Sequence, residues 1–252
     1  MTRRPTITAA IITLNEERML PGLITALDWV DEIVVVDGGS CDATVAIARR
    51  AGCRVMEHPF DNYADQRNRA IDLATCDWIL SIDADERPTA ALASEVCRRL
   101  CHARHEAFRI GIHSRIFGRR MRFSGTQDDW PIRLFRRGGA RWSHQVHEVL
   151  SVAGKVGRLR YGFDHETLPN LPAFIAKMQR YTTLEAVQRV KRRRAPRWRE
   201  QWISPAVEIF RRLIWKQGCF DGPQGWAFCL LSGVSQWTLA RKHRQLWRAV
   251  QL

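Results

Sequence analysis

Four short apolar runs recur through the first third of the chain, each closed by polar residues and separated from the next by a stretch with helical spacing. They are Thr6–Thr13, Glu32–Asp37, Arg54–Glu57 and Asp77–Ile82. Short runs rich in β-branched residues suit strands of a buried parallel sheet. Between them, Glu16–Trp29 carries an apolar stripe of Leu20, Leu23, Ile24 and Leu27. A second helix is expected to open after Asp37-Gly-Gly-Ser-Cys-Asp-Ala-Thr and reach Ala51, and a third covers Asn62–Ala74. A β-α-β-α-β-α-β succession predicts an α/β fold, a parallel sheet with helices on both faces. The 252 residues suffice for one large domain or a domain with an appendage.

In open sheets of this kind ligands bind outside the carboxyl ends of the strands. The residues at three of those ends are Leu14-Asn15-Glu16, Asp37-Gly38-Gly39-Ser40 and Asp83-Ala84-Asp85-Glu86. Gly38 and Gly39 permit a tight turn and close backbone approach. Asp83 and Asp85 flank a small alanine, and two carboxylates there can hold a hard divalent cation, which in turn neutralises a diphosphate. Taken singly these are weak signals. Asp-x-Asp recurs by chance, and Asp37-Gly-Gly-Ser can be a helix-capping turn with Ser40 or Asp42 as the cap. No Gly-x-Gly-x-x-Gly follows the first strand and no Walker loop is present, which removes the dinucleotide and P-loop readings.

Charge separates the chain into two parts. The formal net charge is +14, and Arg180–Leu252 holds 15 Lys and Arg against 4 Asp and Glu, together with six of the ten tryptophans. A basic, Trp-rich, amphipathic tail suits an anionic membrane surface at least as well as nucleic acid. The seven cysteines form no zinc-type pair and point to a reducing compartment. Met-Thr-Arg-Arg-Pro at the start does not read as a signal peptide, and the expectation is a cytoplasmic protein.

The ordered motifs TLNEE, EIVVVDGGSCDAT, QRNRA and CDWILSIDADE resemble those of the inverting family 2 glycosyltransferases of the GT-A fold. The later RLFRR, VHE and FDGPQGW segments are similar to a bacterial lipopolysaccharide-core glucosyltransferase subgroup. The resemblance implies a Rossmann-like, mostly parallel GT-A domain over 1–170, with a nucleotide-sugar-binding half (1–100) and an acceptor half (101–170), and a C-terminal amphipathic helical extension over 171–252. It implies that Leu14, Asn15, Glu16, Asp37, Gly38, Gly39 and Ser40 surround a nucleotide-sugar. Asp83 would lie near the ribose beside Ala84, and Asp85 on a Mg2+ or Mn2+ ion at the diphosphate. Arg67 and Asn68 can approach the same cleft, or Arg67 can be a solvated charge on a helix face.

Inversion requires a base opposite the leaving nucleotide, downstream of Asp85. Asp129 is the first choice, with Asp128 and Glu148 as alternatives. His147 and His165 can orient the base, touch the diphosphate or complete the metal shell. Arg133, Arg136 and Arg137 read as acceptor or diphosphate contacts or as a solvated strand face. The implied reaction moves a hexose, first of all glucose from UDP-glucose, to a lipid-linked, phosphate-bearing acceptor such as inner-core lipopolysaccharide. Polyprenyl-phosphate or protein acceptors, a metal-dependent nucleotidyltransferase and a basic nucleic-acid-binding protein are the alternatives; for the transferase no nucleic-acid partner is expected.

In the tail, Leu171–Arg194 is helical by pattern and stops before Pro196. Ile203, Ala206, Val207, Phe210, Leu213 and Ile214 form an apolar face opposite Glu208, Arg211, Arg212 and Lys216. Gly222–Ala240 lacks charge but contains Pro223 and glycines, so it is expected to be interfacial or packed on protein rather than spanning. The apolar faces can meet a membrane, the catalytic domain, or both.

Overall fold

The computed structural model describes residues 3–126, 129–143 and 149–251. The elements run β1 (Ile7–Thr13), α1 (Leu20–Ala26), β2 (Glu32–Asp37), α2 (Thr44–Arg50), β3 (Arg54–Glu57), α3 (Tyr63–Leu73), β4 (Trp78–Asp83), β5 (Glu86–Pro88) and α4 (Ala90–Leu100). Then come β6 (Ala107–Ile116), β7 (Arg119–Arg120), β8 (Ile132–Arg136), β9 (Ala140–Ser143), β10 (Val149–Val152) and β11 (Val156–Leu168). The C-terminal elements are α5 (Leu171–Lys191), α6 (Trp198–Phe210), a π-helical turn (Arg211–Trp215), a 3-10 turn (Gly218–Asp221) and α7 (Gly222–Gln251). Two compact units result: residues 1–112 with 129–165, and residues 113–128 with 166–252.

In the first unit the sheet order is β3-β2-β1-β4-β8-β6-β11-β5. The β3-β2-β1-β4 portion is parallel, as the apolar runs predict, while β8 joins β4 antiparallel and β5 pairs antiparallel with β11. Alternation along each strand sorts the core into two layers. Ile7, Ala9, Ile11, Val35, Leu80 and Ile82 pack with Leu20, Leu23, Ala48 and Leu92 from α1, α2 and α4. Ala10, Val34, Val36, Ile79 and Phe135 pack on the other face with Ala70, Ile71 and Ala74, from α3 and the turn that follows it. Helices therefore cover both faces.

The first helix is shorter than the expected Glu16–Trp29. The Glu16 carbonyl accepts from the amides of Met19 and Leu20, making a turn, and α1 opens only at Leu20, where Pro21 sits in the first turn and needs no amide partner. Side-chain caps set other starts: Asn62 accepts from the Asp65 amide (2.9 Å) and Thr89 from the Leu92 amide (3.2 Å).

In the second unit α7 packs against α5 and α6. Gly233 of α7 is required there, because a Cβ would stand 2.5 Å from Ile209 and 3.2 Å from the Pro205 carbonyl. Lys242 donates to the Gln179 carbonyl and to the hydroxyls of Thr182 and Thr183, at 2.8–2.9 Å. Buried Asp221 accepts from the amides of Arg122 (2.8 Å) and Phe123 (3.0 Å) and from the Ser124 hydroxyl (2.9 Å). Among the described residues, no helix is long and apolar enough to cross a membrane.

Candidate active site at the strand ends

The parallel strands bring the three polar clusters to one edge of the sheet, because β1, β2 and β4 pair in a register that ends with Thr13 beside Asp37 and Ile12 beside Asp83. Asn15 leaves β1 with φ of 58°, a left-handed conformation that asparagine tolerates. Its amide donates to the Ser40 hydroxyl and its side-chain carbonyl accepts from the Cys41 amide, both at 2.8 Å. Gly39 needs its φ of 101°, which only glycine adopts readily.

Asp37 is fully buried at the centre of this turn. Its carboxylate accepts from the amides of Gly39 (2.9 Å) and Ser40 (2.7 Å) and from the hydroxyls of Thr13 (2.8 Å) and Ser40 (2.6 Å). Burial opposes its ionisation, but these donors outweigh burial and hold the carboxyl below the usual range. Asp37, expected at a base or ribose, instead has its carboxylate turned to four donors of its own loop and of β1. The carboxylate is consumed in shaping the Gly38–Ser40 loop.

At the end of β4 the two aspartates have opposite environments. Asp83 receives Arg67 Nη2 at 2.7 Å and Arg133 Nη2 at 2.8 Å, one on each oxygen. Burial resists its charge, yet Arg133 and then Arg67 override it and hold the carboxyl far below the ordinary value. Asp85, two residues on, is 44% exposed and has His165 Nδ1 at 3.6 Å. Glu16 lies in the same field: burial first, and then the charge of Asp85, raise its pKa. Ala84, between the aspartates, is buried, and its carbonyl accepts from Arg87 at 2.7 Å.

Arg133 is the largest correction. The sequence places it on a ligand or on a solvated strand face. Instead its side chain is 7% exposed and bridges Asp83 and Glu86, the latter at 2.9 Å. Glu86, 1% exposed, also accepts from the Asp83 amide at 3.0 Å. Burial pushes its carboxyl up to about 7, with Arg133 opposing and Asp83 adding. Sequence reasoning assigned Glu86 no role. The available signal was Arg133 itself, a charge embedded in Ile132-Arg-Leu-Phe135 where burial without a carboxylate partner is costly.

Arg67 is likewise not a solvated charge. It reaches Asp83 and the Ser81 hydroxyl (3.2 Å) and lies 5.1 Å from the Trp142 ring centroid. Asn68 is spent on structure, donating to the Trp142 carbonyl and accepting from its amide, both at 3.0 Å. Arg136 is placed opposite Trp78, at the start of β4 and thus far from Asp83, and it pairs with Glu106 at 3.0 Å. Arg137 donates to the Cys76 carbonyl at the same end. Neither is brought to the strand-end cluster, and both lie on the solvated face that is the other expectation for them.

Asp129 is exposed, its carbonyl accepts from the Ile112 amide at 3.1 Å, and its charge is felt by Arg133. The neighbouring Trp130 ring fills the space beside Gly111, where a Cβ would stand 2.9 Å away, and stacks on Arg158 at 3.4 Å. Asp128, His147 and Glu148 lie outside the described residues.

A mostly parallel α/β sheet with carboxylates gathered at its strand ends is the architecture of the GT-A glycosyltransferases. The solved structure of S. aureus TarS, residues 1–349, shares the fold, with a TM-score of 0.50 and 13% identity over 98% of this chain and 91% of that one. The chain belongs to glycosyl transferase family 2, whose model matches residues 8–156. It is similar to the lipopolysaccharide core biosynthesis glycosyltransferase LpsC of Rhizobium meliloti (strain 1021), being 32% identical over 247 residues, 94% of this chain and 91% of that protein. Glucosyl-3-phosphoglycerate synthase of Mycobacterium tuberculosis, solved with Mn2+, UDP-glucose and phosphoglyceric acid, matches at 24% identity and a TM-score of 0.38 over 44% of each chain. The family assignment decides for the transferase over the nucleotidyltransferase alternative.

Proposed function

We propose that the protein transfers a hexose, with glucose from UDP-glucose as the first donor to try, to a lipid-linked, phosphate-bearing glycan of the lipopolysaccharide inner core, with inversion at the anomeric carbon. The observation that carries this reading is the contrast at the end of β4. Asp83 is locked by two guanidiniums, while Asp85 stays half-open beside His165 and Glu16. LpsC, similar over nearly the whole chain, supports the acceptor class.

Among the described residues no group of three or more metal-ligating side chains forms a closed cage. That donor set fits Mg2+ or Mn2+ held by one carboxylate, a histidine and the oxygens of a bound diphosphate, since such ions keep few protein ligands. Asp85 and His165 would hold it, and the ion would neutralise charge on the departing diphosphate. The chain's own groups do the rest. Asn15 and the Gly38–Ser40 loop, stiffened from beneath by Asp37, line the nucleotide side. Asp129 takes the proton of the acceptor hydroxyl as the hydroxyl oxygen bonds to the anomeric carbon. The bond from that carbon to the diphosphate breaks, and the nucleoside diphosphate leaves with the electron pair.

Calorimetry against UDP, UDP-glucose, ADP and GDP, with and without Mg2+ or Mn2+, tests the donor side on the full chain and on Asp85→Asn. Metal-dependent binding of UDP and UDP-glucose, lost in the variant, is expected. Asp129→Asn should bind donor as the wild type does and lose transfer by about 100-fold or more. Retained transfer in that variant removes Asp129 as the base, and no nucleotide binding under any condition refutes the donor cleft.

A further inference from the structure

Helix α6 is packed with its polar side inward. Trp202, Ile203, Ala206, Val207 and Phe210 share one face at helical spacing, and all of them are exposed, Trp202 by 65% and Phe210 by 61%. Gln201, Ser204, Glu208 and Ile209 lie on the other side and are half-buried, with Ile209 against Gly233 of α7. No residue of this 13-residue helix is fully buried. Glu208 is neutralised there by Arg211 and Arg212. A surface helix of a globular domain normally does the reverse, and an exposed apolar face of this length marks a contact with something else.

The surroundings of that face specify what covers it. Trp198 and Trp215, 63% and 77% exposed, stand at its two ends, the second at the close of the π turn. Immediately before the helix, Lys191, Arg192, Arg193 and Arg197 are exposed, and Arg199 follows within it. Among them Glu200 is the one acidic residue, and it is already held by Arg194 and Arg189. An apolar face with indoles at its ends and a dense array of cations complements acidic headgroups over hydrocarbon. A second copy of the chain would instead set two like-charged arrays against each other.

We infer that α6 and the π turn lie flat in the headgroup region of an acidic phospholipid bilayer, with Trp202, Val207 and Phe210 turned into the acyl boundary and the arginines on the phosphates. From Trp198 to Trp215 the segment measures about 27 Å at 1.5 Å per residue, and exposed apolar side chains run from one end of it to the other, so it lies along the surface. The inference deepens the reading of a lipid-borne acceptor and rests on it for its purpose.

The test is sedimentation of the full chain with vesicles of phosphatidylcholine, with and without phosphatidylglycerol, at low and high salt. Wild type is expected on the acidic vesicles, with salt weakening the binding. Val207→Asp/Phe210→Asp should fall about tenfold or more in partition, because each change removes a buried apolar side chain from the bilayer. Both positions are exposed in the free protein, so its melting midpoint should not move. Wild type indifferent to acidic vesicles, or a double variant that binds as well as wild type, overturns the inference. So does a wild-type dimer that the double variant dissociates without change in vesicle binding. Transfer to a delipidated acceptor separates the two proposals: the variant should retain it, whereas absence of transfer in both proteins, with wild-type vesicle binding intact and lost in the variant, refutes the catalytic reading alone.

Discussion

Replacing Arg133 with Met removes the cation shared by Asp83 and Glu86 while keeping much of the side-chain volume. In the native chain that guanidinium is 7% exposed, against 28% for Asp83 and 1% for Glu86, so little water can replace it. Breaking a buried pair by deleting one partner costs about 3–5 kcal/mol, since the surviving charge keeps its desolvation cost without its compensation. For a chain of this size that corresponds to a fall in melting midpoint of about 6–20 °C. Arg67 still holds one oxygen of Asp83, so the larger share of the loss falls on Glu86, as proton uptake at a carboxyl already raised to about 7 and, at higher pH, as an unpaired buried charge. Arg133→Met/Glu86→Gln should therefore recover part of the stability, leaving the double variant more stable than the sum of the single losses. Denaturant melts of the four proteins, followed by tryptophan emission, measure this. An Arg133→Met loss below about 1 kcal/mol, or simple additivity with Glu86→Gln, would refute a buried Arg133–Glu86 couple.

Asp221→Ala leaves two amides and a hydroxyl without their acceptor, and should destabilise the second unit by about 2–4 kcal/mol. Limited proteolysis reads this as faster cleavage after Arg122, and unchanged cleavage sinks the assignment of Asp221 as the anchor of that loop. Glu32 is opposed by burial but held below its ordinary 4.5 by the Thr8 hydroxyl, by Thr75 and by Arg54. Its folded pKa is the lower one, so its contribution is present above the unfolded value and lost as pH falls through the folded one. Glu32→Gln should cost about 1–2 kcal/mol at neutral pH and flatten the acid limb of the stability curve. An unchanged acid limb would show that Glu32 is not ionised in these contacts.

Strand positions were legible because a β-branched run is a local signal. β2 and β3 match their expected spans, β1 starts one residue later and β4 is shifted by one residue at both ends. The gathering of Asn15, Gly39 and Asp85 at one edge was legible too, since parallel pairing carries strand ends together whatever the side chains do. The roles within that edge were not. Asp37 faces inward because Thr13 and Ser40 converge on it, and Arg133 faces inward because β8 is laid antiparallel beside β4, with a partner 47 residues earlier in the chain. Neither neighbour is visible in a linear pattern.

By itself the sequence determined the α/β class, the parallel sheet of the first four strands and the order of the strand-end motifs, all of which follow from apolar periodicity and chain connectivity. Periodicity also showed that α6 has an apolar face. Which way that face points was decided only in three dimensions, where the seam formed by Ile209 and Gly233 turns Glu208 inward and leaves Trp202, Val207 and Phe210 outside. The physical reason is the same for Arg133 and for α6. Amphipathicity is a property of a segment, whereas burial is a property of what is packed against it.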